Sequence, residues 1–375
     1  MSDSGIRAIA FYLPQYHPIP ENDGWWGKGF TEWTNVTKAR PLFKGHEQPR
    51  LPADLGFYDL RIPEVREAQA KMAAEYGIEG FCYWHYWFGD GRKLLERPIT
   101  EVIESRNPDF PFCLAWANET WSGIWHGNPD QVLMEQRYPG EQDYINYFND
   151  LLKAFNDDRY IRVEGKPMFV INAPDQIPDI VSFTNLFRKL ASQNELPGLY
   201  IVANTSREDW DPIVHGCDAV NLVLVGSLYR GLPPTKNVFY RKYKNQLIKS
   251  AWLTRLYRRV RKRPLQIYKY ADVIPFLTSK KKFNYDCYPC IIPNWDNSAR
   301  SGINSMILHK SSPQLFEEHL KDAIEIIAKN APEKRIIFIK SWNEWAEGNY
   351  LEPDRTHGYD YLDVLKKTLQ SKVEK

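Results

Sequence analysis

Eight short apolar runs, most of them separated by helical segments, constrain this chain more than any other feature. They are Ile6–Leu13, Gly80–Trp84 (continuing through Phe88), Phe112–Ala117, Pro167–Asn172, Leu199–Ala203, Ala219–Leu224, Cys290–Asp296 and Arg335–Lys340. Runs that are continuously apolar, rather than alternating, read as strands buried on both faces, as in parallel sheet. Between them, apolar residues recur at helical spacing over about 62–76, 94–106, 141–155, 183–193 and 315–329, and a last helix over about 359–369 closes the chain. This alternation predicts a (β/α)8 TIM barrel. A doubly wound sheet would carry a Gly-rich phosphate turn after its first strand; Pro14-Gln15-Tyr16-His17 stands there instead. The length, 375 residues, suits one barrel domain over 1–375 with an insertion at 230–285 between the sixth and seventh strands.

In such a barrel the C-terminal ends of all strands open on one face, where active sites sit. The residues gathered there are of a few types: Tyr12, Gln15 and His17; Trp84 and His85; Trp116, Asn118 and Glu119; Asn172; Asn204; Asn294, Trp295 and Asp296; and Asn343, Glu344, Trp345 and Glu347. A long Gly- and Trp-rich loop after the first strand adds Trp33. These aromatic and polar residues are the candidates for substrate contact. Aromatic residues make up 14% of the chain, with 13 Trp and 22 Tyr. Such rings suit stacking on sugars, though they suit core packing too. Glu344 and Glu347, three apart and framed by tryptophans, would share one side of a helical turn. Glycoside chemistry needs one carboxyl that donates a proton and another that stays charged. Two further acidic groupings compete: Asn118-Glu119, and Glu32 with Asp296 beside Trp33 and Trp295. A retaining pair about 5 Å apart could be Glu344 with Glu347, or Glu119 with Glu344 across the mouth.

Other chemistries lack their signatures. There is no Gly-x-Ser-x-Gly elbow, no H-E-x-x-H spacing and no P-loop or dinucleotide fingerprint, so neither metal nor cofactor is expected. Cys287-Tyr-Pro-Cys290 has redox or metal spacing but no second pair, and the five cysteines form no disulfide framework. The net charge of +2 makes no case for nucleic acid. Locally the picture differs. Between Arg230 and Lys282 lie sixteen Lys or Arg and a single acid, Asp272. From Val238 to Val260 aromatic and aliphatic residues interleave with them, which predicts a basic amphipathic helix. Residues 238–263 would dock to an anionic membrane surface or a lipid-linked glycan. The N-terminus lacks a signal peptide, and no stretch approaches about 18 apolar residues. The expected location is cytoplasmic, peripheral on the inner membrane.

Four motifs in combination carry a family resemblance: Phe11-Tyr-Leu-Pro-Gln-Tyr-His17, Gly29-Phe-Thr-Glu-Trp33, Ala115-Trp-Ala-Asn-Glu119, and Ser341-Trp-Asn-Glu-Trp-Ala-Glu-Gly348 with Glu352-Pro353. They resemble the WbsX-type proteins of bacterial surface-polysaccharide gene clusters, which are similar to glycoside hydrolase family 99, the endo-α-mannosidases. The resemblance implies a (β/α)8 barrel that cleaves α-mannoside-like linkages with retention. It implies that Glu344 acts as base on the substrate's own 2-hydroxyl, which attacks the anomeric carbon to give a 1,2-anhydro sugar. Glu347 then protonates the leaving group and activates water, and Glu119 becomes a sugar-hydroxyl ligand. Ala346 between the glutamates and the basic insertion depart from the hydrolase pattern. WbsX-type proteins are also described as glycosyltransferases, so transfer in O-antigen or capsule biosynthesis is the second reading. A non-catalytic glycan-binding barrel is the third.

Overall fold

A computed structural model describes residues 5–123, 128–231 and 265–371. Eight parallel strands close on themselves: β1 (Arg7–Tyr12), β2 (Gly80–Trp87), β3 (Phe112–Trp116), β4 (Lys166–Ile171), β5 (Tyr200–Thr205), β6 (Ala219–Leu222), β7 (Asp286–Ile291) and β8 (Ile336–Ile339). Each strand pairs with its neighbours in chain order, and β1 pairs with both β2 (Phe11 opposite Cys82) and β8 (Ala10 opposite Ile339). No barrel edge is left open, which removes the template for edge-to-edge association. The strands are almost wholly buried, as continuous apolar runs require.

The helices α1 (Pro63–Glu75), α2 (Arg97–Ser105), α3 (Glu141–Phe155), α4 (Ile180–Gln193), α5 (Pro313–Ile327) and α6 (Asp360–Gln370) cover the barrel. Their starts follow ordinary capping chemistry. The Asp179 side chain accepts from the Ser182 N–H at 3.0 Å, and Ser312 accepts from the Leu315 N–H at 3.3 Å. The β5–β6 connection, residues 206–218, has turns where a helix would complete the repeat.

The seventh strand begins earlier than the apolar pattern predicts. Cys290–Asp296 covers only its last two residues and the loop beyond. Its polar start hides the strand: Asp286 accepts from the Tyr200 hydroxyl and the Lys334 ammonium at the foot of the barrel, 2.9 Å each. Pro289, which cannot donate to a ladder, hides it further. Cys287 and Cys290, three apart on a strand, face opposite sides; Cys290 is buried and Cys287 half-buried.

Beyond β7, Tyr270, Ile292, Trp295, Met306 and Leu308 form a second apolar cluster beneath the loop that follows β7. The strand Gln266–Lys269, paired with Met306–His309, belongs to the same region. The basic stretch 238–263 lies outside the described residues. Among those described, no helix is long and apolar enough to cross a membrane.

Candidate active site

β8 ends at Ile339, and the chain continues into a small hairpin in which Asn343–Glu344 pairs with Asn349–Tyr350. A single 3-10 turn, Trp345–Glu347, closes it. Side chains three apart eclipse in such a turn, so Glu344 and Glu347 share one side. Gly348 ends the turn at φ +58°, and a Cβ there would lie 2.8 Å from the Asp296 Cβ. The Asp296 N–H donates to the Glu347 carbonyl at 2.6 Å, pinning the turn to the loop after β7.

Both glutamates are buried, and each has its own cation. Arg300, on the short helix Ser298–Ser301, donates to Glu347 at 2.7 Å and to Glu32 at 3.1 Å. Lys340 lies 3.4 Å from Glu344, whose carboxylate also accepts from the Ser341 hydroxyl at 3.4 Å. Burial, and then the Glu344 charge, pushes the Glu347 carboxyl up to about 7, with Arg300 and Lys340 pulling the other way. Burial opposes the charge on Arg300 and on Lys340, but the neighbouring carboxylates outweigh it and hold both pKa values above normal. The site thus contains a carboxyl that holds a proton near neutrality beside one balanced by an ammonium. Proton donation and charge stabilisation need such an asymmetry.

Several sequence candidates hold the turn in place. The Asn343 carboxamide accepts from the Leu13 N–H at 2.7 Å and donates to the Leu13 carbonyl at 3.0 Å. The Tyr16 hydroxyl bonds the Asn343 carbonyl. Trp345 stacks on Tyr350 with ring centroids 3.8 Å apart, and its indole N–H donates to Glu352 at 2.6 Å. Glu352 also accepts from Tyr58 (2.9 Å) and Gln69 (2.6 Å), and Tyr12 donates to Gln69 at 2.7 Å. Trp33 donates to the Tyr58 carbonyl at 2.8 Å and packs on Tyr16 and Trp345. The Gln15 carbonyl accepts the Glu32 N–H at 3.1 Å, at the start of the helix that brings Glu32 to Arg300. His17 is 2% exposed, and burial, against the Asp59 charge, pushes it down to about 4. It is neutral at physiological pH.

Three candidates face away from the mouth, and here the sequence reading is corrected. The first is Tyr12, which packs on Phe81 and Tyr83 of β2 and donates to Gln69 of α1. His85 bonds the Tyr147 hydroxyl of α3 at 3.1 Å and stacks on its ring. Trp116 donates to the Trp87 carbonyl at 2.8 Å and packs on Tyr147 and Phe183. All three lie between barrel and helices. Strand alternation is the reason: Trp84 points inward, so His85 points outward and Tyr86 inward again. Tyr86 was missed, although that alternation signals it. Burial raises its hydroxyl pKa, and the charged groups acting on it are those of the site, Glu344, Arg300, Glu32 and Glu347. Asn118 is a tie between loops, donating to the Ala173 carbonyl at 2.8 Å and accepting the Ala173 N–H at 2.9 Å.

The opposite wall is a ladder of amides. Asn221 donates to Asn204 at 2.9 Å, Asn204 to Asn172 at 3.4 Å, and Asn172 to the exposed Glu119 at 2.7 Å. A carboxylate only accepts, so Glu119 sets the direction of all three amides. Trp84 and Trp295 present ring faces to Lys340, 5.5 and 5.6 Å from its Nζ. Among the described residues no His, Cys, Asp and Glu cluster with metal-binding geometry occurs.

Fold and site together define a closed (β/α)8 barrel with a carboxylate-lined C-terminal mouth. The chain belongs to the WbsX glycosyltransferase family, whose model matches residues 8–365. It is 38% identical over 364 residues to an uncharacterized protein, WxcX, of Xanthomonas campestris pv. campestris, covering 96% of this chain and 49% of that one. The chain thus spans about half the length of the curated relatives it matches. Among solved structures it resembles a glycoside hydrolase-like protein (17% identity, TM-score 0.56, covering 100% of this chain and 96% of the other). It also resembles the glycoside hydrolase family 99 endo-α-mannosidase of Bacteroides thetaiotaomicron (15% identity, TM-score 0.56, 98% and 96% covered). At these identities the likeness is one of fold.

Proposed function

We propose that this barrel, acting as one domain, cleaves α-mannoside-like linkages in a bacterial surface polysaccharide or its lipid-linked precursor, with retention. Glu344 takes the proton from the substrate's 2-hydroxyl. The 2-oxygen bonds to the anomeric carbon as the glycosidic bond breaks, and the leaving oxygen receives the Glu347 proton. Glu347 then draws a proton from water, which opens the 1,2-anhydro ring at the anomeric carbon, and Glu344 returns its proton to the 2-oxygen. The observation that carries this reading is the asymmetry of the pair: on one turn, Glu347 holds its proton up to about 7 while Glu344 faces an ammonium at 3.4 Å. The 2-hydroxyl and the glycosidic oxygen sit on neighbouring carbons, so two carboxyls one turn apart can serve both.

The family description favours a second reading, transfer to a sugar hydroxyl. Incubation with α-mannan fragments and the source polysaccharide, with and without sugar nucleotides, separates the two by product mass. Shortening without nucleotide supports cleavage; extension only with nucleotide supports transfer. Glu344→Gln and Glu347→Gln are each expected to lower turnover by at least about 10²-fold, the scale of a lost general acid or base, with the thermal melt unchanged. Full activity in either variant would remove that residue from its role.

A further inference from the structure

Lys340 has no task in the two-glutamate scheme. It stands one residue beyond β8, with its side chain in the barrel mouth. Its Nζ lies 3.4 Å from the Glu344 carboxylate, between the faces of Trp84 on β2 and Trp295 beyond β7. The titratable and charged groups acting on it are Glu344 and Glu347 from its own loop and Cys290 from β7; Arg300 and Glu32 lie across the pair. Taking an ammonium out of water costs several kcal/mol unless it is closely paired, and here the ion pair is a long one. An ammonium has three donors; among the described residues the ion pair of this one is with Glu344. Its side chain keeps 16% exposure. Arg300 is directed at Glu32 and Glu347.

We propose that Lys340 binds the substrate oxygen from which Glu344 takes its proton, donating a hydrogen bond to the 2-oxygen as negative charge gathers there. The inference rests on the proposed function and adds a catalytic residue to it. The proton passes from the 2-hydroxyl to Glu344, the 2-oxygen bonds to the anomeric carbon, and the leaving oxygen departs with the bonding pair and the Glu347 proton. Lys340 keeps all its protons throughout. Its donor meets charge that is larger in the transition state than in bound substrate, the condition under which a fixed donor accelerates a reaction.

The test uses the full chain, Lys340→Met and Lys340→Arg, with an α-mannan fragment and its 2-deoxy counterpart. Lys340→Met should lower kcat about 10²–10³-fold, the cost of removing one preorganised donor, with a smaller change in KM. Because the ammonium pulls the Glu347 carboxyl down from a higher value, its loss should also move the basic limb of the pH profile above about 7. Wild type should bind the 2-hydroxy fragment more tightly than the 2-deoxy one, and Lys340→Met should narrow that difference, Glu344 keeping the remainder. Lys340→Arg, which keeps charge and donors, should restore part of the discrimination. A Lys340→Met protein that retains kcat within about threefold, or discriminates the 2-deoxy fragment as strongly as wild type, overturns the inference and leaves the glutamate roles standing. Wild type inactive on every α-mannoside overturns both.

Discussion

Glu347 and Glu352 are each pushed up to about 7, burial being the first cause for both, yet they do different work. Around Glu352 are three donors, from Trp345, Gln69 and Tyr58, that close it off. Around Glu347 are another carboxylate and an arginine, and it lies beside the mouth. A general acid works only while protonated, so kcat/KM on an α-mannan fragment should fall as pH rises through about 7. A profile flat through that pH would exclude Glu347 as the acid. His85 shows how face decides role: one residue from Trp84 on the same strand, it serves the helix layer.

The loop after β8 is held by a chain of side-chain bonds running Tyr12, Gln69, Glu352, Trp345. Glu352→Leu would leave the Trp345 N–H, the Gln69 amide and the Tyr58 hydroxyl without their acceptor, at about 1–3 kcal/mol for each buried orphan. Glu352→Gln should cost less, because the Gln69 amide and the Tyr12 hydroxyl can both reverse. The folded carboxyl titrates at about 7 against about 4.3 in an unfolded chain. The native state therefore binds the extra proton between those values. The stability this group contributes is present below the lower value and is lost as pH rises through the upper. Melts of wild type and Glu352→Gln at about pH 5 and pH 8 should show a shallower loss in the variant; equal slopes would mean that Glu352 is not the titrating group.

The whole-chain charge of +2 conceals an uneven distribution. Residues 238–263 hold ten Lys or Arg and no acid, so the remainder carries −8. Docking of this stretch on anionic lipid is expected to be salt-sensitive, because salt screens an attraction of that kind. Binding to phosphatidylglycerol vesicles should be measurable at low ionic strength and weaken as salt rises, with none to phosphatidylcholine. No binding at low salt would reject this role for the stretch. The asparagine ladder spans four strands, β3 to β6, and exists only because the barrel brings their ends together.

Much of this was legible beforehand. Eight apolar runs announce a parallel barrel because strands buried on both faces have no polar alternation to show. Glu344 and Glu347 announce their shared side because spacing along one short turn is a matter of local geometry. The seventh strand was misplaced, its polar foot and Pro289 reading as loop. Inward and outward residues were also mixed at the strand ends: a list of ends ignores the period of two that separates His85 from Tyr86. Partners far along the chain left no local trace. Arg300 reaches Glu32 across 268 residues, and Asp296 meets His46 across 250. Lys340 reads in the chain as an ordinary basic residue at a strand end. Its place between Trp84 and Trp295, and the burial that raises Glu347, arise only when β2, β7 and β8 come together, because desolvation and charge pairing depend on distance through space.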